Sequence, residues 1–257
     1  VSAAMGINHS INLDRYFVSS QIRNNRAMAP IIQFDRVSVT IHEKTLLSDI
    51  SFDLFAGEKA VLCGRSGSGK SSVLRTLLGL LPLSQGMVYF QGKPLDSASV
   101  QAVRSRIAYI GQEPILGAES VREALLLPFQ FKSHRDHKPT EERIIEILQR
   151  LQLSADILRQ ESGRISGGEK QRIALARGLL LGKNLYLLDE ITSALDTASK
   201  KAVFDVFSDA RLTVLSVTHD PDWMERCDRV FELEDGRLTE RRGRSGCKAP
   251  SVRETGS

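Results

Sequence analysis

The run Gly64-Arg65-Ser66-Gly67-Ser68-Gly69-Lys70-Ser71 fits the pattern G-x-x-x-x-G-K-[ST], and no other feature restricts the fold as much. Glycines let a backbone curl until successive N–H groups point at one anion. A helix starting at Lys70, with Ser71 and Ser72 in its first turn, would add its positive dipole end. Lys70 is then expected to reach the β- and γ-phosphates of a nucleotide, and Ser71 to offer its hydroxyl to Mg²⁺. The pattern arises by chance in roughly one random chain of this size in a hundred, so context decides. Here an apolar run at 59–63 comes before the loop and a helical pattern at 70–81 follows it.

Other stretches build the same architecture. Residues 31–40 and 46–54 alternate as an antiparallel strand pair would. Residues 185–188 and 212–217 are apolar with little interruption, which fits strands buried on both faces of a parallel sheet. Helical patterns at 168–181 and 196–210 separate them. Residues 119–127 and 141–151 read as helices with no buried strand between them, so a helical subdomain over about 113–165 is expected. The fold class is α/β: a phosphate-loop NTPase core with an antiparallel β subdomain and an inserted helical subdomain.

The run Leu185-Tyr186-Leu187-Leu188 ends in Asp189-Glu190. Ligands of open parallel sheets sit at the carboxyl ends of strands. Asp189 is placed to hold Mg²⁺ and Glu190 to polarise an attacking water. Phosphoryl transfer asks a protein chiefly for positioning and charge stabilisation.

The chain has 257 residues, 41% of them hydrophobic, with a net charge of +4. That suits one sizeable core, and the mild positive charge gives no reason to expect nucleic acid. Three cysteines, Cys63, Cys227 and Cys247, have no metal-ligand spacing and read as free thiols of a reducing compartment. His134 and His137 lie in a basic, polar stretch without a third ligand, so they read as a solvated loop. No apolar run approaches the roughly 18–20 residues that span a bilayer, and any membrane role is expected to come through a partner. Residues 1–29 read as a flexible leader, 30–242 as the folded domain and 243–257 as a flexible basic tail.

Further motifs give the chain a family resemblance. Ile165-Ser166-Gly167-Gly168-Glu169-Lys170-Gln171-Arg172 resembles the signature motif of the ATP-binding cassette (ABC) ATPases. Gln112 resembles the Q-loop glutamine, Ser193-Ala194-Leu195-Asp196 the D-loop, and His219 the switch histidine, all in the family's order. The resemblance implies ATP and Mg²⁺, with Ser71, Gln112 and Asp189 around the metal and Glu190, His219, Lys70 and Gln112 in catalysis. It also implies a head-to-tail homodimer in the ATP state, with Ser166, Gly167, Gly168, Glu169 and Asp196 meeting the partner's nucleotide. A separate multi-pass permease is implied too, with this chain peripheral on the cytoplasmic face of the cell membrane. Ser166 and Glu169 additionally read as a capping box.

Some positions depart from the family pattern. Ile41 stands where many members stack an aromatic on adenine. Ile165 replaces the usual Leu, Glu169 a common Gln, and Ile191 a frequent Pro. Residues 188–196, 165–173 and Pro128-Phe129-Gln130-Phe131 resemble the ATPase subunits of bacterial iron exporters. The alternatives are cassettes for lipoprotein release, peptides or amino acids, or a non-transport ABC ATPase. A scaffold without turnover would lack Lys70, Glu190 or His219, and all three are present.

Overall fold

The computed structural model describes residues 29–241. The expected leader and tail, apart from residue 29, lie outside the described residues. Strands β1 (Ile32–Ile41) and β2 (Lys44–Leu54) form the antiparallel pair read from the alternation. His42 and Glu43 join them with φ of 45° and 66°, the left-handed pair that a tight two-residue hairpin needs. Strand β4 (Gln85–Phe90) pairs on the other side of β1, and β5 (Lys93–Pro94) on β4. The four-stranded sheet runs β2-β1-β4-β5.

The second sheet has six strands in the order β10-β9-β3-β8-β7-β6. They are β3 (Lys59–Cys63), β6 (Ile107–Ile110), β7 (Leu185–Asp189), β8 (Thr213–Val217), β9 (Arg229–Glu234) and β10 (Arg237–Arg241). All neighbours are parallel except the β9–β10 hairpin. Every residue of β7 and β8 is buried. The pleat sends alternate side chains into two cores. Leu185, Leu187, Leu215 and Val217 face the four-stranded sheet, whereas Tyr186, Leu188 and Val214 face the helices.

Helix α1 (Lys70–Leu77) follows the phosphate loop and buries Val73, Leu74 and Leu77 between the sheets. It is shorter than the 70–81 read from the pattern. Gly79 takes φ 62°, its N–H bonds Thr76 O, and Leu80 N–H bonds Arg75 O. These two bonds close a Schellman end that stops the helix. After α2 (Val100–Arg104), the chain between β6 and β7 is helical. It holds α3 (Val121–Leu126), α4 (Glu141–Arg150), short 3₁₀ turns and α5 (Gly167–Leu180), with no named strand. Helices α6 (Thr197–Phe207) and α7 (Pro221–Met224) complete the fold.

Candidate active site at the carboxyl edge of the parallel sheet

Because β3, β8, β7 and β6 are parallel neighbours, their carboxyl ends share one edge. Gly64 follows β3, His219 lies just past β8, Asp189 ends β7 and Gln112 lies just past β6. Four motifs scattered along the sequence therefore meet through topology alone.

The phosphate loop is shaped by close backbone approach. Gly64 has φ 134°, and a Cβ there would lie 2.1 Å from Leu233 O on β9. Gly69 has φ 105°, and its Cβ would lie 2.6 Å from Leu46 O. Gly236, in the β9–β10 turn, donates its N–H to Ser68 O, and its own Cβ would lie 2.9 Å from Leu46 O. A β-hairpin is thus the floor under the loop. Gly67 has open space where a Cβ would stand.

No side chain caps α1, so its first-turn N–H groups are offered outward. Ser68 Oγ is buried without a hydrogen-bond partner. Both features fit an anion held in the loop. Lys70 Nζ donates to Gly64 O and Arg65 O, each at 2.8 Å. Burial lowers its pKa, while the Glu190 and Asp189 carboxylates pull the other way. Arg65 and Ser66 are exposed, and Ser71 and Ser72 are half-buried.

Ser71 Oγ donates to Asp189 Oδ1 at 3.1 Å, and Asp189 is 4% exposed. A hydroxyl and a carboxylate oxygen meeting beside an anion cradle are the donors that Mg²⁺ takes alongside phosphate oxygens and water. Glu190 has φ 51°, an uncommon conformation for a residue with a side chain, fixed by its N–H bond to Val217 O at 2.8 Å. Its Oε1 lies 3.4 Å from His219 Nε2. Burial raises the Glu190 carboxyl, with His219 and Lys70 opposing. The result is a carboxylate with more affinity for a proton than an exposed one, beside an accessible imidazole.

The turn carrying His219 is fixed on both sides. Asp220 accepts from the N–H groups of Asp222 and Trp223 and pairs with Lys200 at 2.7 Å. Trp223 Nε1 donates to Ser216 Oγ, which donates to Ala60 O. Sequence reasoning missed these supports, and it missed Tyr109. The Tyr109 phenol on β6 lies beside Asp189, and burial together with that carboxylate raises its pKa. Its place near the carboxyl end of a strand adjoining β7 becomes visible only once β6 is recognised.

Gln112 is exposed, and among the described residues no hydrogen bond ties it to Ser71 or Asp189. Ser166 and Glu169 form the expected capping box, with Ser166 N to Glu169 Oε2 at 3.0 Å and Glu169 N to Ser166 Oγ at 3.3 Å. Ser166 Oγ also donates to Glu169 Oε2 at 2.6 Å, and this bond, with that from the Ser166 N–H, holds the Glu169 carboxyl below its usual pKa. Gly167 has nothing within 4 Å of a would-be Cβ, but at Gly168 Ala194 O would be 2.9 Å away. The second signature glycine therefore admits the 193–196 turn. Asp196 caps α6, accepting from Ser199 N at 2.9 Å and Ser199 Oγ at 2.8 Å. Ile41, at the tip of β1, is half-buried and packs on the core between the sheets.

Comparisons with known proteins agree with this geometry. Residues 47–193 match the family model described as ABC transporter. The chain is 33% identical over 210 residues to the probable iron export ATP-binding protein FetA of Escherichia coli K12, covering 80% of this chain and 92% of that one. It is 32% identical over 244 residues to the mesentericin-Y105 transport/processing protein MesD of Leuconostoc mesenteroides, covering 88% of this chain but only 33% of that protein. A dimeric post-hydrolysis ATP-binding cassette bound to ADP and Pi superposes with a TM-score of 0.71 at 26% identity, covering 82% of this chain and 99% of that one. With the phosphate loop, the acidic strand end and His219 on one edge, the chain belongs to the ABC transporter family as an ATP-binding, ATP-hydrolysing subunit.

Proposed function

We propose that residues 30–242 form the motor of an exporter for a metal ion such as iron, working as a head-to-tail homodimer on a separate multi-pass permease. The observation that carries the catalytic reading is Glu190, half-buried and 3.4 Å from His219, beside the loop that presents Lys70. The loop N–H groups and Lys70 bind the phosphates of ATP, Lys70 exchanging two carbonyls of its own loop for phosphate oxygens. Ser71 and Asp189, with Gln112 from the neighbouring strand end, would hold Mg²⁺. When bound, that ion neutralises charge developing on the β- and γ-oxygens. Glu190 orients the attacking water and accepts its proton, and His219 holds Glu190 and the γ-phosphate together. The signature glycine Gly167 has open space where a Cβ would stand, which suits contact with a partner's nucleotide.

A groove of about 310 Å³ beside Gln112 supports a permease site on the cytoplasmic face of the membrane. Its lining includes Tyr109, Glu113, Pro114, Arg177 and the 83% exposed Ile115. Among the described residues no helix is long and apolar enough to cross a membrane. Metal export rests on the relative named for iron export, whose length the chain nearly spans. A peptide transporter is the second reading, favoured by the 32% identity to the mesentericin transport/processing protein.

The test uses tagged Glu190→Gln protein with ATP in detergent-solubilised membranes. Mass spectrometry should find one multi-pass membrane protein, bound only with ATP, and turnover should fall by about 10²–10⁴. Recovery of only ribosomal or DNA-associated proteins would overturn the transport reading, and normal turnover would overturn the role of Glu190.

A further inference from the structure

The loop 111–116, which starts beside Gln112 and lines the groove, is gripped at both ends by one helix. Gln171 on α5 is 1% exposed, and its Nε2 donates to Gly111 O at 3.4 Å. Farther along α5, Arg177 donates from Nη1 to Leu116 O at 2.9 Å and from Nη2 to Ile115 O at 3.1 Å. The two side chains are separated by about 9 Å of helix axis at 1.5 Å per residue. Between these anchors Gln112 and Glu113 are exposed.

The helix itself has little freedom to slide. A Cβ at Gly178 would lie 3.1 Å from Ile110 Cδ1, so α5 sits hard against β6. The Tyr109 hydroxyl lies 3.4 Å from where Gly111 would carry a Cβ. The same helix begins at Gly167, in the signature turn. Gln112 and the signature turn are therefore mounted on one rigid element, although Gln112 itself makes no hydrogen bond to that element among the described residues.

We propose that Gln171 and Arg177 are positioning residues for Gln112, holding its loop to the helix that carries the signature turn. This rests on the reading of Gln112 as a metal- and water-side residue given above. A carbonyl clip is suited to the task because it fixes the main chain and leaves the Gln112 side chain free to turn toward the phosphates. Displacing a reacting or metal-side group by about 1 Å costs on the order of a hundredfold in rate.

The test is a set of double-mutant cycles on the full chain, read as steady-state kcat and the KM for Mg²⁺ with ATP saturating. Gln171→Met keeps the buried volume and loses the donor; Arg177→Lys keeps the charge and loses the paired geometry. Each should lower kcat about tenfold or more and raise the Mg²⁺ KM. In a Gln112→Ala background each should change kcat by no more than about twofold. Thermal midpoints are measured in parallel, and either variant alone suffices if the other does not fold. Wild-type kcat in both single variants overturns the proposal. So do effects that multiply with Gln112→Ala, which would mark a purely structural role. If Gln112→Ala itself leaves kcat and the Mg²⁺ KM unchanged, the role of Gln112 falls, and the proposal falls with it.

Discussion

Replacing the second signature glycine by alanine, Gly168→Ala, should destabilise the subunit, whereas Gly167→Ala should not. At Gly168 the new methyl would stand 2.9 Å from Ala194 O and 3.8 Å from Leu195 Cδ2. Ordinary carbon–oxygen contacts lie at about 3.3–3.6 Å, so the 193–196 turn or the first turn of α5 must yield by roughly 0.4–0.7 Å. Forcing an extra carbon into packed structure costs about 1–3 kcal/mol. Alanine recovers up to about 1 kcal/mol over glycine within a helix. With that gain subtracted in full the net loss is about 0–2 kcal/mol, which lowers Tm by up to roughly 8 °C in a domain of about 200 residues. At Gly167 nothing lies within 4 Å of the new methyl, so Tm should hold or rise slightly. Differential scanning calorimetry without nucleotide measures both variants free of any binding effect. A Gly168→Ala midpoint equal to or above that of Gly167→Ala would refute the argument that this glycine exists to admit the Ala194 carbonyl.

Three further outcomes follow from other parts of the fold. Cys227 is 5% exposed and burial pushes its thiol up to about 12; at pH 8 its thiolate fraction is about a thousandfold below that of an ordinary cysteine. Iodoacetamide followed by peptide mapping should modify it only after denaturation, and rapid labelling of folded protein would contradict its burial. Lys200→Met strips the partner from Asp220, which is only 5% exposed at its side chain, and should cost about 1–3 kcal/mol, less than a fully buried pair because Lys200 is partly exposed. Burial favours the protonated Asp220, but Lys200 and the capping N–H groups outweigh it, so the folded pKa is lowered. That stability is present above about pH 4 and lost as pH falls through the folded value; the gap between wild type and variant should narrow on acidification, and a gap that widens would reverse the assignment. Ile41→Tyr should tighten ATP binding by about 5–150-fold if adenine stacks at the tip of β1, measured by titration with a fluorescent nucleotide; unchanged affinity would place adenine elsewhere.

The parts of this fold that could be read in advance were those whose physics is local. A strand buried on both faces must be apolar at nearly every position, so 59–63 and 185–188 stood out before any pairing was known. The phosphate loop was equally plain, because only glycines tolerate a φ of 134° or 105° beside a neighbouring carbonyl. Strand β6 was missed because its four residues, Ile107–Ile110, are too short to show a period. Strands β9 and β10 were missed despite the Asp235-Gly236 pair between them, with φ of 47° and 76°, which is a strong hairpin signal. Overlooking them hid the floor of the phosphate loop. Gly168 was marked by its motif, but the reason for it, a carbonyl from residue 194, depends on tertiary contact. So do the Gln171 and Arg177 clips, whose acceptors are carbonyls about sixty residues away.

The hairpin under the phosphate loop affects how a mutational map of this protein would look. Leu46 O lies 2.6 Å from where Gly69 would carry a Cβ and 2.9 Å from where Gly236 would. One peptide group is thus wedged between two glycines that are distant in the chain, and neither can gain a side chain without displacing it. In a library of all single substitutions scored by ATP-dependent growth, Gly236 should be as intolerant as the loop glycines, although it contributes no atom to the phosphates. A map that equated intolerance with proximity to substrate would draw the active site one hairpin too wide. Paired changes that shorten β2 at Leu46 would be the place to look for compensating variants.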